Sequence, residues 1–318
     1  MGPMVHSITP PEQELIRLLL TNSRMRIVAM GEHLGKSRNW VARALERLAK
    51  SRVIRAYTAV LNPARVYSER STILLVKTNP RELRVSEALI RVPGLESLDG
   101  ISGEYSLLGL FRFRMPAAFE RFLDVVDGTV AQSGSNSYAL VQVLTTYKAH
   151  GFIMDTSSSE TAHLTQSEWE LLSVLRRQPV SEDRPLPLTQ TEIGRFMVQP
   201  LSQPAVSKAM RRLESSGVIV GYSADVDFRC VGLPIKFFLE IRAAPGAIGR
   251  AAHAIAKMQE VWDLHRTSEA FSLFATVRTG SVEEYNQFLR RLYRNKDVLE
   301  TRSQISLEEW FIPLGLTR

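Results

Sequence analysis

Behind Pro10-Pro11-Glu12 the apolar residues Leu15, Ile16, Leu18 and Leu19 recur at helical spacing, and prolines with an acid in the first turn mark the start of a helix. A second short helix is expected over residues 26–34, stopped by Gly35, because glycine accepts the positive φ of a tight turn. Ser37 stands where a serine caps the next helix, over 38–51. Within it Val41, Leu45 and Leu48 share one face and pack inward, which leaves Arg38, Asn39, Arg43 and Arg47 outside. Residues 53–61 then alternate as a strand or wing. Beyond them the period changes again: strands are expected at 71–77, 95–102, 105–113 and 138–147, with helices at 83–90 and 117–126, in the order βαββαβ.

The whole pattern occurs twice. Arg47-Leu48-Ala49-Lys50-Ser51-Arg52-Val53-Ile54 matches Arg212-Leu213-Glu214-Ser215-Ser216-Gly217-Val218-Ile219 at an offset of 165, which also carries Tyr57 onto Tyr222 and Ser37 onto Ser202. Glu14-Leu15 matches Glu170-Leu171 at an offset of 156, so about nine extra residues are expected in the second copy near 178–189, a stretch of loop composition. Tyr105-Ser106-Leu107 matches Phe271-Ser272-Leu273 at an offset of 166. In the second copy Val206, Met210 and Leu213 are the inward positions, Ser202 the cap, and Gln203, Ser207, Lys208, Arg211 and Arg212 the outer face. A strand at 218–226 follows, then strands at 234–242, 261–266, 271–277 and 299–310 and helices at 247–258 and 282–293.

The expected architecture is therefore α+β: two tandem modules, each a winged helix-turn-helix followed by a ferredoxin-like βαββαβ sensor domain. The divisions expected are helix-turn-helix 8–66, sensor 67–150, linker 151–163, helix-turn-helix 164–228 and sensor 229–318; Thr156-Ser157-Ser158-Ser159-Glu160-Thr161 is too polar to pack and reads as exposed. Helices cover one face of each sensor sheet, and the bare face calls for pairing, between the modules of one chain or between chains as a homo-oligomer.

At 318 residues the chain exceeds one usual core, consistent with several domains. No run of eighteen uncharged apolar residues exists to span a bilayer, and residues 1–10 lack a basic-then-apolar leader, so a cytoplasmic protein without membrane partners is expected. Cys230, the single cysteine, reads as a small buried hydrophobe. No Gly-rich phosphate loop, His-Glu-x-x-His or Gly-x-Ser-x-Gly occurs, and the six histidines include no metal-ligand spacing on a helix. No catalytic residue, metal or cofactor is expected. The net charge of +7 suits a polyanion partner once it falls on an element shaped for a groove. Helix, short helix, glycine turn and capped helix with a basic outer face is the arrangement of a helix-turn-helix, whose second helix enters the major groove of double-stranded DNA. Arginine and asparagine near its start suit base edges, and the later cations suit phosphates. Trp40 packs over the turn or lies at the DNA surface.

Several runs resemble the Lrp/AsnC, or feast/famine, regulators. They are Gly35-Lys36-Ser37, Arg47-Leu48, Val53-Ile54, Tyr57-Thr58-Ala59-Val60-Leu61-Asn62-Pro63 and Ser102-Gly103-Glu104-Tyr105-Ser106-Leu107-Leu108, with Val218-Ile219-Val220-Gly221-Tyr222-Ser223-Ala224 in the second copy. The resemblance implies a sequence-specific transcriptional regulator with an effector pocket, commonly for an amino acid, at a subunit interface. It makes Gly103, Glu104, Tyr105 and Ser106 the ligand-binding candidates. Ser106 stands where the family usually has aspartate, and the second copy reads Ser268-Glu269-Ala270-Phe271-Ser272 with no glycine. Proteins similar to this family also include sirohaem decarboxylases of haem synthesis, which place histidine, arginine and aromatic side chains in the sensor cleft, the region of His265-Arg266. That alternative, and a regulatory subunit without DNA binding, stand beside the regulator.

Overall fold

The computed structural model describes residues 8–66, 70–78, 83–113, 116–132, 137–157, 161–176 and 178–310. The first copy runs α1 (Pro10–Asn22), α2 (Ile27–Leu34), α3 (Arg38–Lys50), β1 (Ile54–Leu61), β2 (Arg70–Lys77), α4 (Leu83–Ile90), β3 (Leu95–Ile101), β4 (Leu107–Phe113), α5 (Pro116–Gln132) and β5 (Ser137–Ala149). After β6 (Phe152–Ile153) the second runs α6 (Gln166–Arg176), β7 (Gln178–Pro179), α7 (Gln190–Phe196), α8 (Gln203–Ser215), β8 (Ile219–Val226), β9 (Ile235–Ala243), α9 (Ile248–Ala256), β10 (Val261–Thr267), β11 (Leu273–Thr279), α10 (Val282–Leu292) and β12 (Val298–Trp310). The α+β class and the repeated order follow the apolar periods.

These elements do not gather module by module. Residues within 1–65, 150–152 and 160–234 form one compact unit and those within 66–149, 153–159 and 235–318 another, so each unit takes half of each copy. In the first unit the two strands read as wings pair with each other: β1 lies antiparallel to β8, with Thr58 opposite Ser223, Tyr57 opposite Ala224 and Ala59 opposite Tyr222. Thr58 and Ser223 are equivalent by the repeat, so a pseudo-twofold axis passes through that pair. Around it Tyr57 is fully buried and donates to the Pro185 carbonyl at 2.8 Å, while Arg24 lies over the Tyr222 ring and donates to the Leu188 carbonyl at 3.0 Å.

The insertion is divided, contrary to the sequence expectation of nine residues in one loop. Gly31 and Gly194 occupy the same place, an offset of 163: a Cβ on either would meet the backbone oxygen of Lys36 at 2.6 Å or of Leu201 at 2.2 Å. Seven of the extra residues thus precede α7 and two lie in the turn between α7 and α8. The longer loop is not merely a loop either, since β7 pairs with the edge of β1 and Val180 donates to the Arg55 carbonyl at 3.2 Å. The linker expectation needs a similar correction: Phe152 packs where a Cβ on Gly221 would come within 2.3 Å of its ring, and Met154 is buried. Ser158, Ser159 and Glu160 of that linker lie outside the described residues.

In the second unit eight strands follow the order β10-β11-β9-β12-β3-β4-β2-β5, and β5 pairs back to β10, which closes a ring. Each last strand serves both sheets: β5 leaves β2 for β10, and β12 leaves β9 for β3. Helices α4 and α5 cover one sheet through Val85, Leu89, Phe122 and Val126; α9 and α10 cover the other through Ala251, Ile255, Tyr285 and Phe288. The two bare faces meet over Ile73, Leu75, Ile101, Leu108, Phe238 and Phe274, so the pairing demanded by the sequence is made within one chain. Helix α5 runs to Gln132, beyond the expected end at 126. Among the described residues no helix is long and apolar enough to cross a membrane.

Candidate nucleic-acid interface and sensor site

Helix α3 is set by Ser37, whose hydroxyl accepts from Trp40 N at 3.2 Å, and by Gly35, which ends α2 at φ 61°. Val41, Leu45 and Leu48 are buried as expected, and Ser37, Arg38, Asn39, Arg43 and Arg47 are exposed. Arg38, Asn39 and Arg43 have no partner among the described residues. Trp40 is half-buried, with the Lys36 ammonium 5.8 Å from its ring centre, so it belongs to the turn.

Arg47 differs from its neighbours. Its Nε and Nη2 donate to Glu12 Oε1 at 3.2 and 2.9 Å, and Glu12 also accepts from Thr9 N at 3.0 Å in a capping box. Burial pushes the Glu12 pKa up, but the Thr9 and Arg47 hydrogen bonds outweigh it and hold the carboxyl below its ordinary value. The second copy repeats this brace: Arg212 Nη1 donates to Glu168 Oε1 at 2.5 Å, and Thr165 N to Glu168 Oε2 at 2.9 Å. Arg47 and Arg212, expected as outer-face contacts, tie the recognition helix to the first helix of its own copy. The signal was present in the sequence as Thr-x-x-Glu at 9–12 and again at 165–168.

On α8 Gln203, Lys208, Arg211 and Arg212 are exposed and Ser207 half-buried. Ser202 holds the cap position without a side-chain cap bond, Gln203 is tied to Gln190, and Arg211 folds back onto Ser207 Oγ at 3.2 Å. Lys208, the counterpart of Arg43, has no partner among the described residues. The turn before α8 exposes Val198 at 85%, next to Phe196 at the end of α7 at 43%, which sequence reasoning missed because the extra residues had been placed upstream.

In the sensor unit Gly103 has φ 123°, a conformation that suits glycine, and Gly103 and Glu104 are exposed. Tyr105 packs against the cluster shared by both sheets. The Ser106 hydroxyl accepts from Thr78 N at 2.7 Å and lies 3.2 Å from the Val76 carbonyl, so it anchors the end of β2. Glu104 and Glu269, one from the turn of each copy, both act on the charge of Glu240. Burial raises the Glu240 pKa; Arg302 opposes this, and Glu269 and Glu104 add to it. The Arg302 guanidinium stands 4.2 Å from the centre of the Phe271 ring. Glu240 and Arg302 were not singled out from the sequence, because neither lies in the turn that carries the family pattern. His265 is 6% exposed and shares a 3.1 Å hydrogen bond with Thr146, while Arg266 is exposed. Cys230 is half-buried in place of the expected full burial, and burial pushes its thiol pKa up.

Residues 236–312 match the Lrp/AsnC ligand binding domain. An uncharacterised HTH-type transcriptional regulator of Pyrococcus horikoshii is 34% identical over 136 residues, covering 41% of this chain and 86% of that protein. The HTH-type transcriptional regulator FL11 of the same organism is 26% identical over 108 residues, 34% of this chain and 72% of FL11. The solved structure of the siroheme decarboxylase NirDL superposes with a TM-score of 0.59 over 94% of this chain and 91% of that one, at 16% identity, a likeness of fold.

Proposed function

Since this chain belongs to the Lrp/AsnC family and carries two copies of its module, we propose that it is a sequence-specific, DNA-binding transcriptional regulator whose two recognition helices act from one polypeptide. The observation that carries the reading is the pair α3 and α8, related by the pseudo-twofold axis and each presenting outward cations, Arg38 and Arg43 on one and Lys208 on the other. Association with a duplex then depends on counterion release, and its affinity falls steeply with salt. Replacing Arg43 and Lys208 by alanine is expected to lower the slope of log affinity against log salt by about 1 for each residue, measured by fluorescence anisotropy on duplexes recovered from the genome. An unchanged slope removes both helices from the interface.

The finer part of the reading is a small amino-acid effector at the sensor site. Glu104 and Glu240 suit an ammonium and Arg302 a carboxylate, with the Phe271 and Tyr105 rings beside them. Calorimetric titration with the common amino acids tests it, since no heat from any of them leaves the site without a ligand of that class. A second reading, a sirohaem decarboxylase-like enzyme, is favoured by the fold likeness to NirDL along nearly the whole chain. The histidine that it draws on, His265, lies inside the sensor unit against Thr146. Purified protein that acquires a tetrapyrrole spectrum with sirohaem and releases carbon dioxide would replace the regulator with this enzyme.

A further inference from the structure

The two copies bury three equivalent apolar positions behind their recognition helices, Val41, Leu45 and Leu48 in one and Val206, Met210 and Leu213 in the other, but present different chemistry in front of them. In the first copy the turn is tight, closed by Gly35, and the leading exposed side chains are Arg38 and Asn39, with Arg43 one turn later. In the second copy these positions are Gln203, Pro204 and Lys208, so the first turn of α8 carries no cation. Ahead of it stands the turn lengthened by two residues. Met197 leaves α7 in an extended conformation, and Val198 emerges at 85% exposure beside the 43% exposed Phe196. Among the described residues nothing covers Val198, and its bulk sits on the segment leading straight into the cap of α8.

Base edges distinguish such surfaces. Arginine pairs in bidentate fashion with the O6 and N7 of guanine, asparagine and glutamine pair with adenine, and apolar side chains pack on the thymine methyl group. A cation-led surface therefore prefers guanine, and a surface led by valine, glutamine and a helix start without cations prefers A·T pairs. From this contrast, and resting on the DNA-binding reading above, we propose that the chain recognises a duplex with two unlike half-sites. The half-site under α3 contains guanine read by Arg38 or Arg43, and the half-site under α8 is A·T-rich, with Val198 as a specificity-determining contact to thymine methyl groups. The pseudo-twofold pairing of β1 with β8 holds both surfaces in one compact unit, so a single chain meets both half-sites in a defined order.

Repeated selection from a randomised duplex library with the full chain tests the inference. A recovered site with one guanine-containing and one A·T-rich half supports it. A palindrome of two equal halves overturns it while leaving DNA binding intact, and failure to enrich any duplex overturns the DNA-binding reading itself. On the selected site, replacing thymine by uracil in the A·T half removes only methyl groups. The expected result is about a fourfold loss of affinity per contacted methyl, the worth of one buried carbon, for the native chain and none for Val198→Ser. Val198 is exposed, so folding of that variant is unaffected, and circular dichroism checks this. Equal loss in both proteins, or no loss in either, overturns the role of Val198.

Discussion

Asp99 on β3 and His265 on β10 occupy the same place in the two copies, at the offset of 166 that relates those strands. The strands facing them are equivalent too. β2 pairs Leu74 with Leu140, and β9 pairs Leu239 with Ser303, which places Glu309 where the other copy has Thr146, and Lys236 where it has Ser71. Around Asp99, Lys236 Nζ donates to both carboxylate oxygens at 2.9 Å, Ser306 Oγ donates at 2.7 Å, and Glu309 bridges Lys236 to Arg278. Around His265 the corresponding contact is a hydrogen bond to Thr146, and Arg112, the counterpart of Arg278, is paired to Glu96 on its own sheet. A symmetric dimer has to place the same residues at both of these sites. Joining the copies in one chain lifts that constraint, and here one site is an ionic lock between copies while the other sets a histidine against a threonine.

The lock is the stronger of the two because its charges are buried. Asp99 is 1% exposed, and removing its lysine leaves a carboxylate without its counter-ion in a medium that solvates it poorly. Lys236→Ala is expected to cost about 3–5 kcal/mol, read from denaturant unfolding of the full chain, the largest effect of any single change at either site. Lys236→Met combined with Asp99→Leu is expected to recover much of that loss, since both charges leave together. If the double variant is as unstable as the single one, the pair is not what joins the copies.

Acid titrates the lock from the other side. Burial raises the pKa of Glu309, but Lys236 and Arg278 outweigh it and bring it down to about 2. A depressed carboxyl stabilises the fold fully above the ordinary carboxylate range, and the contribution is lost as pH falls through that range towards 2. The Glu309 side chain is 39% exposed, so screening reduces the effect to on the order of 1–2 kcal/mol. Thermal scans between pH 6 and 2 are expected to show a smaller acid loss for Glu309→Gln, from a lower starting stability, than for the native chain. The same slope in both assigns the acid sensitivity to other carboxylates.

Much of this arrangement was legible in the chain and some was not, for reasons that lie in particular residues. The buried faces of α3 and α8 were, because Val41, Leu45 and Leu48 and their counterparts at 206, 210 and 213 obey a helical period that only packing explains. The need for a partner to the bare sensor faces was also legible. Whether that partner was the other copy or another chain was not, since alternation along a strand says which side is apolar and nothing of what covers it. The ion pairs of Arg47 with Glu12 and of Arg212 with Glu168 were not legible for a related reason: along the helix, a guanidinium that braces a carboxylate looks like any other on the outer face. Val198 was hidden by register, as two inserted residues leave no periodic trace. The Asp99 lock was invisible because its members come from β3, β9, β11 and β12, far apart in the chain.

The weaker site is expected to give the smallest response, and its size decides what kind of site it is. His265 and Thr146 are both buried and share a hydrogen bond, so Thr146→Val is expected to cost about 1 kcal/mol, the usual net worth of one such bond. The change is nearly isosteric, which keeps packing out of the measurement, and thermal unfolding of the full chain at pH 7 reads it. A loss as large as that of Lys236→Ala would mean that Thr146 supports more of this site than its hydrogen bond to His265. A gain in stability would be more telling, because a polar pair retained at a cost to folding points to a use other than folding. In that event His265 and Thr146 become the first positions to probe for the decarboxylase reading, and the contrast between the two sites becomes one between a lock and a reactive group.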